Sequence, residues 1–365
     1  MPLKEPNWWY SGQDDWRARL LEPVGNIYSE MGQRRFKKRV AYRSRLPVIC
    51  IGNFTAGGAG KTPLSVFVAE RLVSRGEQPA FLTRGYGGTE TGPLWVVPDH
   101  HRASAVGDEP ILLSAVAPTL VARDRRAGIR AIEARSDAIT AVIMDDGLQN
   151  PAVKKDLTIA VIDGSRGLGN RSVIPSGPLR ARLEFQLEKT DAIVINDTNF
   201  LRSETSSSAG ALADRLTKEF RRSFPGPVIQ ATTQPAGDVT WLSDKPVVAF
   251  AGIGHPQRFF DMLTSLGARI AVEMPYADHY PFSEKDADAL LSLRARHDAL
   301  LVTTQKDMAR LANLKQNSAG LSRLAERAHV VGIETTFDAA NHLRIATLIS
   351  DALISGGYRS GNYRR

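Results

Sequence analysis

A four-residue apolar run, Val48-Ile49-Cys50-Ile51, stops at Gly52-Asn53 and gives way to Phe54-Thr-Ala-Gly-Gly-Ala-Gly-Lys-Thr62. No other stretch restricts the fold as tightly. A short continuous apolar run is what a strand buried on both faces of a parallel sheet requires. Gly57, Gly58 and Gly60 can take positive φ, which turns backbone N–H groups inward and makes a nest for phosphate oxygens at a helix N-terminus. In this reading Thr55, Ala56, Gly57, Gly58, Ala59 and Gly60 line the phosphates of a nucleotide. Lys61 reaches the β- and γ-phosphates, and Thr62 ligates Mg²⁺. The strict pattern for such loops, G-x-x-x-x-G-K-[ST], has glycine where this chain has Thr55. The strand before the loop and an amphipathic helix after it (Leu64, Phe67, Val68, Leu72, ending near Gly76) offset that departure. The competing reading is a glycine-rich strand–helix turn with an incidental lysine.

A length of 365 residues points to two domains, and 42% hydrophobic with 24% charged residues is ordinary for a globular protein. The one cysteine, Cys50, lies in the apolar strand, so neither a disulfide framework nor a cysteine metal site is expected, and a reducing compartment is. A net charge of +8 and pI near 9.6 favour an anionic partner. No run of about 18 apolar residues is present to span a membrane, and charged residues from Lys4 onward argue against a signal peptide.

Residues 1–46 differ from the rest. Trp8, Trp9, Tyr10 and Trp16 come early, and Trp16, Leu20, Val24, Ile27, Tyr28 and Met31 then fall on one helical face, with Pro23 expected to kink or restart the helix. Arg34, Arg35, Lys37, Lys38, Arg39, Arg43 and Arg45 follow with no acidic residue among them. A basic amphipathic helix with tryptophans suits an anionic membrane surface; a solvated basic face packed against the domain is the alternative, and nucleic-acid binding is not expected.

Beyond the loop helix, candidate strands at Ala80–Thr83, Thr119–Ala122, Ile139–Met144, Leu157–Ile162 and Ala192–Ile195 alternate with helix-length segments, the pattern of a doubly wound parallel sheet with ligands at its carboxyl edge. The polar stretch 202–210 reads as a surface loop. Val228–Thr233 and Val239–Leu242 flank Pro235-Ala236-Gly237 and read as a hairpin linker. Pro246–Ala251, Arg269–Glu273, Ala299–Thr303 and His329–Ile333 form a second, smaller alternating set, and the tail after Ser355 is glycine-rich and basic.

The strand at Ile139–Met144 ends in Asp145-Asp146, a Walker-B-like arrangement in which one carboxylate can hold Mg²⁺ while the other orients groups or relays protons. Thr83-Arg-Gly-Tyr-Gly-Gly88 puts Arg84 and Tyr86 on the same rim, where an arginine suits phosphate. Asp108, in Val106-Gly-Asp-Glu-Pro110, reads either as a helix N-cap or as a functional carboxylate. His279, after Asp278, reads either as a structural histidine or as a general base for a hydroxyl.

In order, GNFTAGGAGKTP, RGYGG, VGDEP, DDGLQ, VIDG, IPSGPLR, GIGHPQRFF, ADH and TTQKD closely resemble the tetraacyldisaccharide 4′-kinases, the lipid A 4′-kinases of Gram-negative bacteria. The resemblance implies a P-loop NTPase-like parallel-sheet domain plus a second, smaller α/β domain joined by a β-hairpin linker. The corresponding division is 1–46 for the membrane-associating helix, 47–225 for the kinase domain, 226–244 for the hairpin and 245–365 for the second domain. It implies ATP and Mg²⁺ as cofactors, an acylated disaccharide lipid as substrate and the cytoplasmic face of the inner membrane as location. Lys61 and Thr62 would handle phosphates and metal, Asp145 and Asp146 would serve the metal, and Asp108 with His279 would activate the 4′-hydroxyl. Two departures stand out. Ala181 follows GPLR where a glutamate is usual, so that either Mg²⁺ is held with one fewer carboxylate or a neighbour such as Glu184 substitutes, and Gln305 replaces the glutamate of TEKD. A membrane-associated ATPase switch is the competing class. It carries a lysine before the paired glycines, where this chain has Ala56.

Overall fold

The structure, a computed structural model, describes residues 5–11, 15–98, 100–135, 138–198, 207–312 and 318–356. After a 3₁₀ turn at Asn7–Trp9, helix α1 (Trp16–Lys38) leads to β1 (Val48–Asn53), α2 (Lys61–Val73), β2 (Pro79–Thr83), β3 (Leu94–Trp95), α3 (Ala103–Val106), α4 (Asp108–Ser114) and β4 (Thr119–Val121). The chain continues through α5 (Arg125–Arg135), β5 (Ala141–Asp145), β6 (Leu157–Asp163), α6 (Leu183–Leu187), β7 (Ala192–Thr198), α7 (Ser207–Ser223) and β8 (Val228–Pro235). A second run comprises β9 (Pro246–Ala251), α8 (Pro256–Ser265), β10 (Arg269–Pro275), α9 (Glu284–His297), β11 (Leu300–Thr304), α10 (Gln305–Ala312), α11 (Ala319–Arg327) and β12 (Ala328–Val331). The chain then closes with β13 (Ile333–Thr336) and α12 (Ala339–Ser355).

The strands make two sheets, one ordered β13-β8-β7-β6-β1-β5-β2-β4-β3 and one ordered β10-β9-β11-β12. In the large sheet only the edge strands β3 and β13 run antiparallel to their neighbours. The small sheet is parallel throughout. Strand β1 sits between β5 and β6, and its carboxyl end lies at the edge of the sheet where open α/β folds place their ligands. Period-two alternation sends Ile49 and Ile51 to a core with Leu64, Val68 and Leu72 of α2 and Ile345 and Ile349 of α12. Val48 and Cys50 go to the opposite core with Ile129 and Ile132 of α5. Each such aliphatic side chain contributes roughly 1.5–3 kcal/mol on burial, which anchors β1 firmly enough to carry a loop.

The hairpin expected around Pro235 is not formed. Strand β8 pairs with β13, about a hundred residues on, and Thr240–Leu242 is a 3₁₀ turn. Since β13 and α12 return to the large sheet, with α12 packed on β1, β6 and β8, residues 333–355 do not belong with the second sheet. The two bodies are therefore connected twice. Helix α1 runs unbroken past Pro23. That residue lies on the exposed side, where water can satisfy a carbonyl deprived of its helical donor. Of the stretch expected as a loop at 202–210, residues 202–206 lie outside the described residues and Ser207 opens α7. The basic tail from 357 also lies outside them.

Helix α1 turns the wrong face inward for an ordinary surface helix. Its buried residues are Ala18, Gly25 and Ser29. The Ala18 carbonyl accepts from Ser176 Oγ at 2.7 Å, and Ser29 Oγ from the Arg182 amide at 3.1 Å. A Cβ on Gly25 would stand 2.7 Å from the Val173 carbonyl oxygen, so only glycine permits this approach. The large apolar residues of the helix, Trp16, Leu20, Val24, Ile27, Tyr28 and Met31, face outward with 51–69% of their surface exposed. After Lys38 the chain is no longer helical, and Tyr42, Ser44 and Arg45 are tied to Glu133 of α5.

Candidate active site

Gly57 and Gly60 both take positive φ, +88° and +81°, and Gly60 ends the loop as the left-handed cap of α2. The loop is held from outside. Asn53 Nδ2 donates to the Gly57 carbonyl (3.1 Å), the Ala56 amide to the Pro178 carbonyl (2.8 Å) and Arg180 Nε to the Thr55 carbonyl (2.9 Å). Thr55 also forms an antiparallel bridge with Leu179. Extended backbone at this position needs no glycine, which explains the departure from the strict loop pattern. Gln149 Nε2 bonds the Asn53 carbonyl at 2.8 Å, and Asn196 of β7 reaches the Ala59 carbonyl at 3.5 Å.

Asp145 and Asp146 end β5 beside the loop but live in different environments. Asp145 is buried, and its Oδ1 accepts from Ser65 Oγ at 3.0 Å while its Oδ2 has no partner. Burial, with Glu109 and Asp146 nearby, pushes its carboxyl up to about 7. Asp146 takes a positive φ of 52° and lies between two cations, Arg180 Nη1 at 2.9 and 3.0 Å and Lys61 Nζ at 3.7 Å. Burial alone would raise its carboxyl, but Lys61 and Arg180 outweigh that and hold it at about 2. The orphaned Asp145 oxygen calls for a cation, whereas both Asp146 oxygens already have one. Among the described residues no cluster of three His, Cys, Asp or Glu could hold a metal by itself, so a cation here would take nucleotide oxygens to complete its shell. Thr62 is second in α2 and half-buried.

Glu109 links this region to the second body. Lys306 of α10 donates to it at 2.8 Å and, with Lys61, holds its carboxyl below the usual range. One residue earlier, Asp108 does not cap α4: Gly107 is the cap residue, and no side chain bonds the helix end. Asp108 Oδ2 instead lies 2.9 Å from His279 Nδ1, across 171 residues of sequence. His279 has φ +58°, costly for a non-glycine residue and typical of positions the surrounding structure over-determines. Its amide donates to the Gly252 carbonyl (3.1 Å), and Tyr86 tilts against its ring at 5.7 Å. The bond to Asp108 raises its proton affinity above the ordinary histidine value, against burial. Arg84 and Tyr86 are exposed in the turn after β2.

The structure thus brings Lys61, Asp145, Asp146, Asp108 and His279 to one cleft and leaves Arg84 at its rim. Glu184 does not stand in for the missing glutamate. It is exposed on α6 at a cavity of about 220 Å³ beside α1, with Arg171 and Arg182. Glu109 is the carboxylate that acts on Asp145, and sequence reasoning missed it together with Arg180, Ser65 and Lys306. The Arg in GPLR and the Lys in TTQKD were the available signals. Gln305 is exposed and its side chain lies against Gly332.

The family model described as tetraacyldisaccharide-1-P 4′-kinase matches residues 17–350. Curated relatives named tetraacyldisaccharide 4′-kinase include one from Nitrobacter winogradskyi, 41% identical over 343 residues (94% of this chain, 96% of the relative). Another, from Methylobacterium nodulans, is 45% identical over 310 residues (85% and 88%). Among solved structures, LpxK from Aquifex aeolicus in complex with ATP matches with a TM-score of 0.68 at 20% identity, covering 92% of this chain and 99% of that one, a likeness of fold.

The Asp108–His279 bond predicts a titration. His279 should titrate above 6.5 in the intact protein, and Asp108→Asn should lower its value. A raised folded-state value stabilises the protein fully below about pH 6.5 and loses that contribution as pH rises through the folded value. NMR titration of the His279 ring tests this; a midpoint at or below 6.5 in the wild type contradicts the bond.

Proposed function

The chain belongs to the tetraacyldisaccharide 4′-kinase family, and from this premise we propose that its cleft moves the γ-phosphoryl of ATP to the 4′-hydroxyl of a tetraacylated disaccharide 1-phosphate. The observation that carries the proposal is the convergence on one cleft of a phosphate-binding loop with its lysine and an Asp–His pair contributed by two different sheets. A nucleotide switch needs the first but has no use for the second.

The geometry supports the following roles. Backbone N–H groups from Gly57 to Gly60 cradle the phosphates, the Ala56 amide being taken by the Pro178 carbonyl, and Lys61, steadied by Asp146, neutralises charge developing on the transferred group. Asp145 and Thr62 would hold Mg²⁺, which would supply neutralisation of phosphate charge. Asp146 orients Lys61 and Arg180. The Asp108–His279 pair takes the proton of the acceptor hydroxyl as it attacks in line. Arg84 and Tyr86, on the rim, face the entering ligand.

For a lipid acceptor the cleft has to work at a membrane surface. Among the described residues no helix is long and apolar enough to cross one. The outward stripe of α1, flanked by Arg34, Arg35, Lys37 and Lys38, is instead suited to lie in the headgroup region of an anionic bilayer, at the cytoplasmic face of the inner membrane.

With γ-labelled ATP, Mg²⁺ and a tetraacylated disaccharide 1-phosphate in detergent micelles, label should enter the lipid. ATP hydrolysis with no labelled lipid would favour the ATPase switch. Asp108→Ala and His279→Ala should each lower kcat by about 10²–10⁴ while leaving ATP affinity within roughly threefold; a large loss of ATP affinity would move that residue to the nucleotide site. Replacing Trp16, Leu20 and Ile27 together by serine should release the protein from phosphatidylglycerol vesicles in flotation, and undiminished binding would place the membrane contact elsewhere.

A further inference from the structure

Arg310 lies one turn beyond the TTQKD motif on α10 and is buried to 6% exposure. One side of its guanidinium is accounted for locally: Nη2 donates to the Gly252 carbonyl at 2.8 Å and to Asp307 Oδ1. Asp307 is itself fixed, accepting from the Gly252 amide (3.0 Å) and Thr304 Oγ1 (2.6 Å), while its amide donates back to Thr304 Oγ1 at 3.1 Å. That unit, a helix cap joined to the end of β9, already supplies the carboxylate that a buried arginine requires. The other side points elsewhere. Nη1 makes no hydrogen bond and stands 3.2 Å from Asp108 Oδ2, the same oxygen that faces His279 Nδ1.

Gly252 connects the two arms. Its carbonyl accepts both from Arg310 Nη2 and from the His279 amide, so the arginine touches the mount of the histidine as well as the carboxylate the histidine faces. We propose that Arg310 is a positioning residue for phosphoryl transfer: it fixes Asp108 and His279 relative to each other and keeps a permanent positive charge on the Oδ2 side of the carboxylate. The proposal rests on the reading of the Asp108–His279 pair as the proton acceptor. The other charged or titratable groups around the pair are Asp278 (3.8 Å from His279 Nε2), Lys306 and Glu109 (paired at 2.8 Å), Asp307 and the Tyr86 ring. Burial raises the Asp307 carboxyl against the pull of Arg310, so the guanidinium is what makes two neighbouring carboxylates compatible with one small volume.

The sign of its electrostatic effect is the same on both partners. Removing a cation beside a carboxylate raises that group's proton affinity, and removing it beside an imidazole relieves repulsion and raises that one too. An uncharged residue at 310 therefore keeps the pair protonated to higher pH.

The test is the pH profile of kcat for the full-length protein in detergent micelles, comparing wild type, Arg310→Gln, Arg310→Met and Arg310→Lys, with thermal melts to establish folding. The glutamine variant retains a donor for the Gly252 carbonyl in case the methionine variant does not fold. Both uncharged variants should lower kcat at neutral pH by about ten- to a hundredfold and move the acidic limb upward by about half to one pH unit, with KM for ATP within roughly threefold. Arg310→Lys should return the limb toward its wild-type position. A limb that stays in place in a folded, uncharged variant overturns the proposal, whatever its kcat, because a merely structural arginine predicts that result. Full activity in Asp108→Asn would instead overturn the proton-acceptor reading and this proposal with it, and is recognised without any Arg310 variant.

Discussion

The contact on which the site depends is the one between Asp108 and His279, because it joins a residue of the large-sheet body to one of the small-sheet body, beside a shared apolar cluster in which Ala309 of α10 packs with Val106 and Ile111. The large sheet supplies a rigid phosphate loop, anchored on β1 and laced to the 178–180 segment. The small sheet supplies the turn that carries His279 and the helix that carries Lys306 and Arg310. All three side chains converge on the first two residues of α4, Asp108 and Glu109. Half-buried charges bear a desolvation cost that only good pairing offsets. The ion pairs thus tie the two bodies together where the Asp108–His279 pair and the glycine-rich loop meet. The strained backbone of His279 and of Asp146 belongs to the same picture: both residues are held in place by partners in the cleft.

Much of the large sheet was legible because buried parallel strands are continuous apolar runs, and β1, β2, β5, β6 and β7 all are. Strand β13 was not. Its four residues, Ile333-Glu-Thr-Thr336, are an edge strand with two exposed positions and carry no pattern that separates them from the preceding β12. The turn signal at Pro235-Ala-Gly237 was real, Gly237 having φ +72°, but the chain that pairs with β8 enters from the far end of the sequence. Local punctuation marks where a strand stops and says nothing about which strand it meets.

The site divides in the same way. Lys61, Thr62, Asp145 and Asp146 are neighbours of a motif and could be read from it, whereas Arg180, Glu109 and Arg310 acquire their roles from partners far away in sequence. The departures from the family pattern have different physical standing. Thr55 is extended and bridged to Leu179, so it needs no glycine. Gln305 lies against Gly332. Ala181 removes a carboxylate, and what remains near Asp145 is Glu109, already paired with Lys306. The outward apolar face of α1 was visible as a periodicity, but only the structure shows that the small residues Ala18, Gly25 and Ser29 are the ones buried against the protein body, with Phe36 packed on Phe185 at the far end.

The central claim is that Asp108 and His279 act as one unit on the acceptor proton, and a double-mutant cycle on kcat addresses it directly. Two residues that share one proton fail together. The combined Asp108→Ala, His279→Ala variant should therefore transfer phosphoryl no more than about threefold more slowly than the worse single variant. Losses that multiply would mean that the two side chains act independently, and would contradict the account.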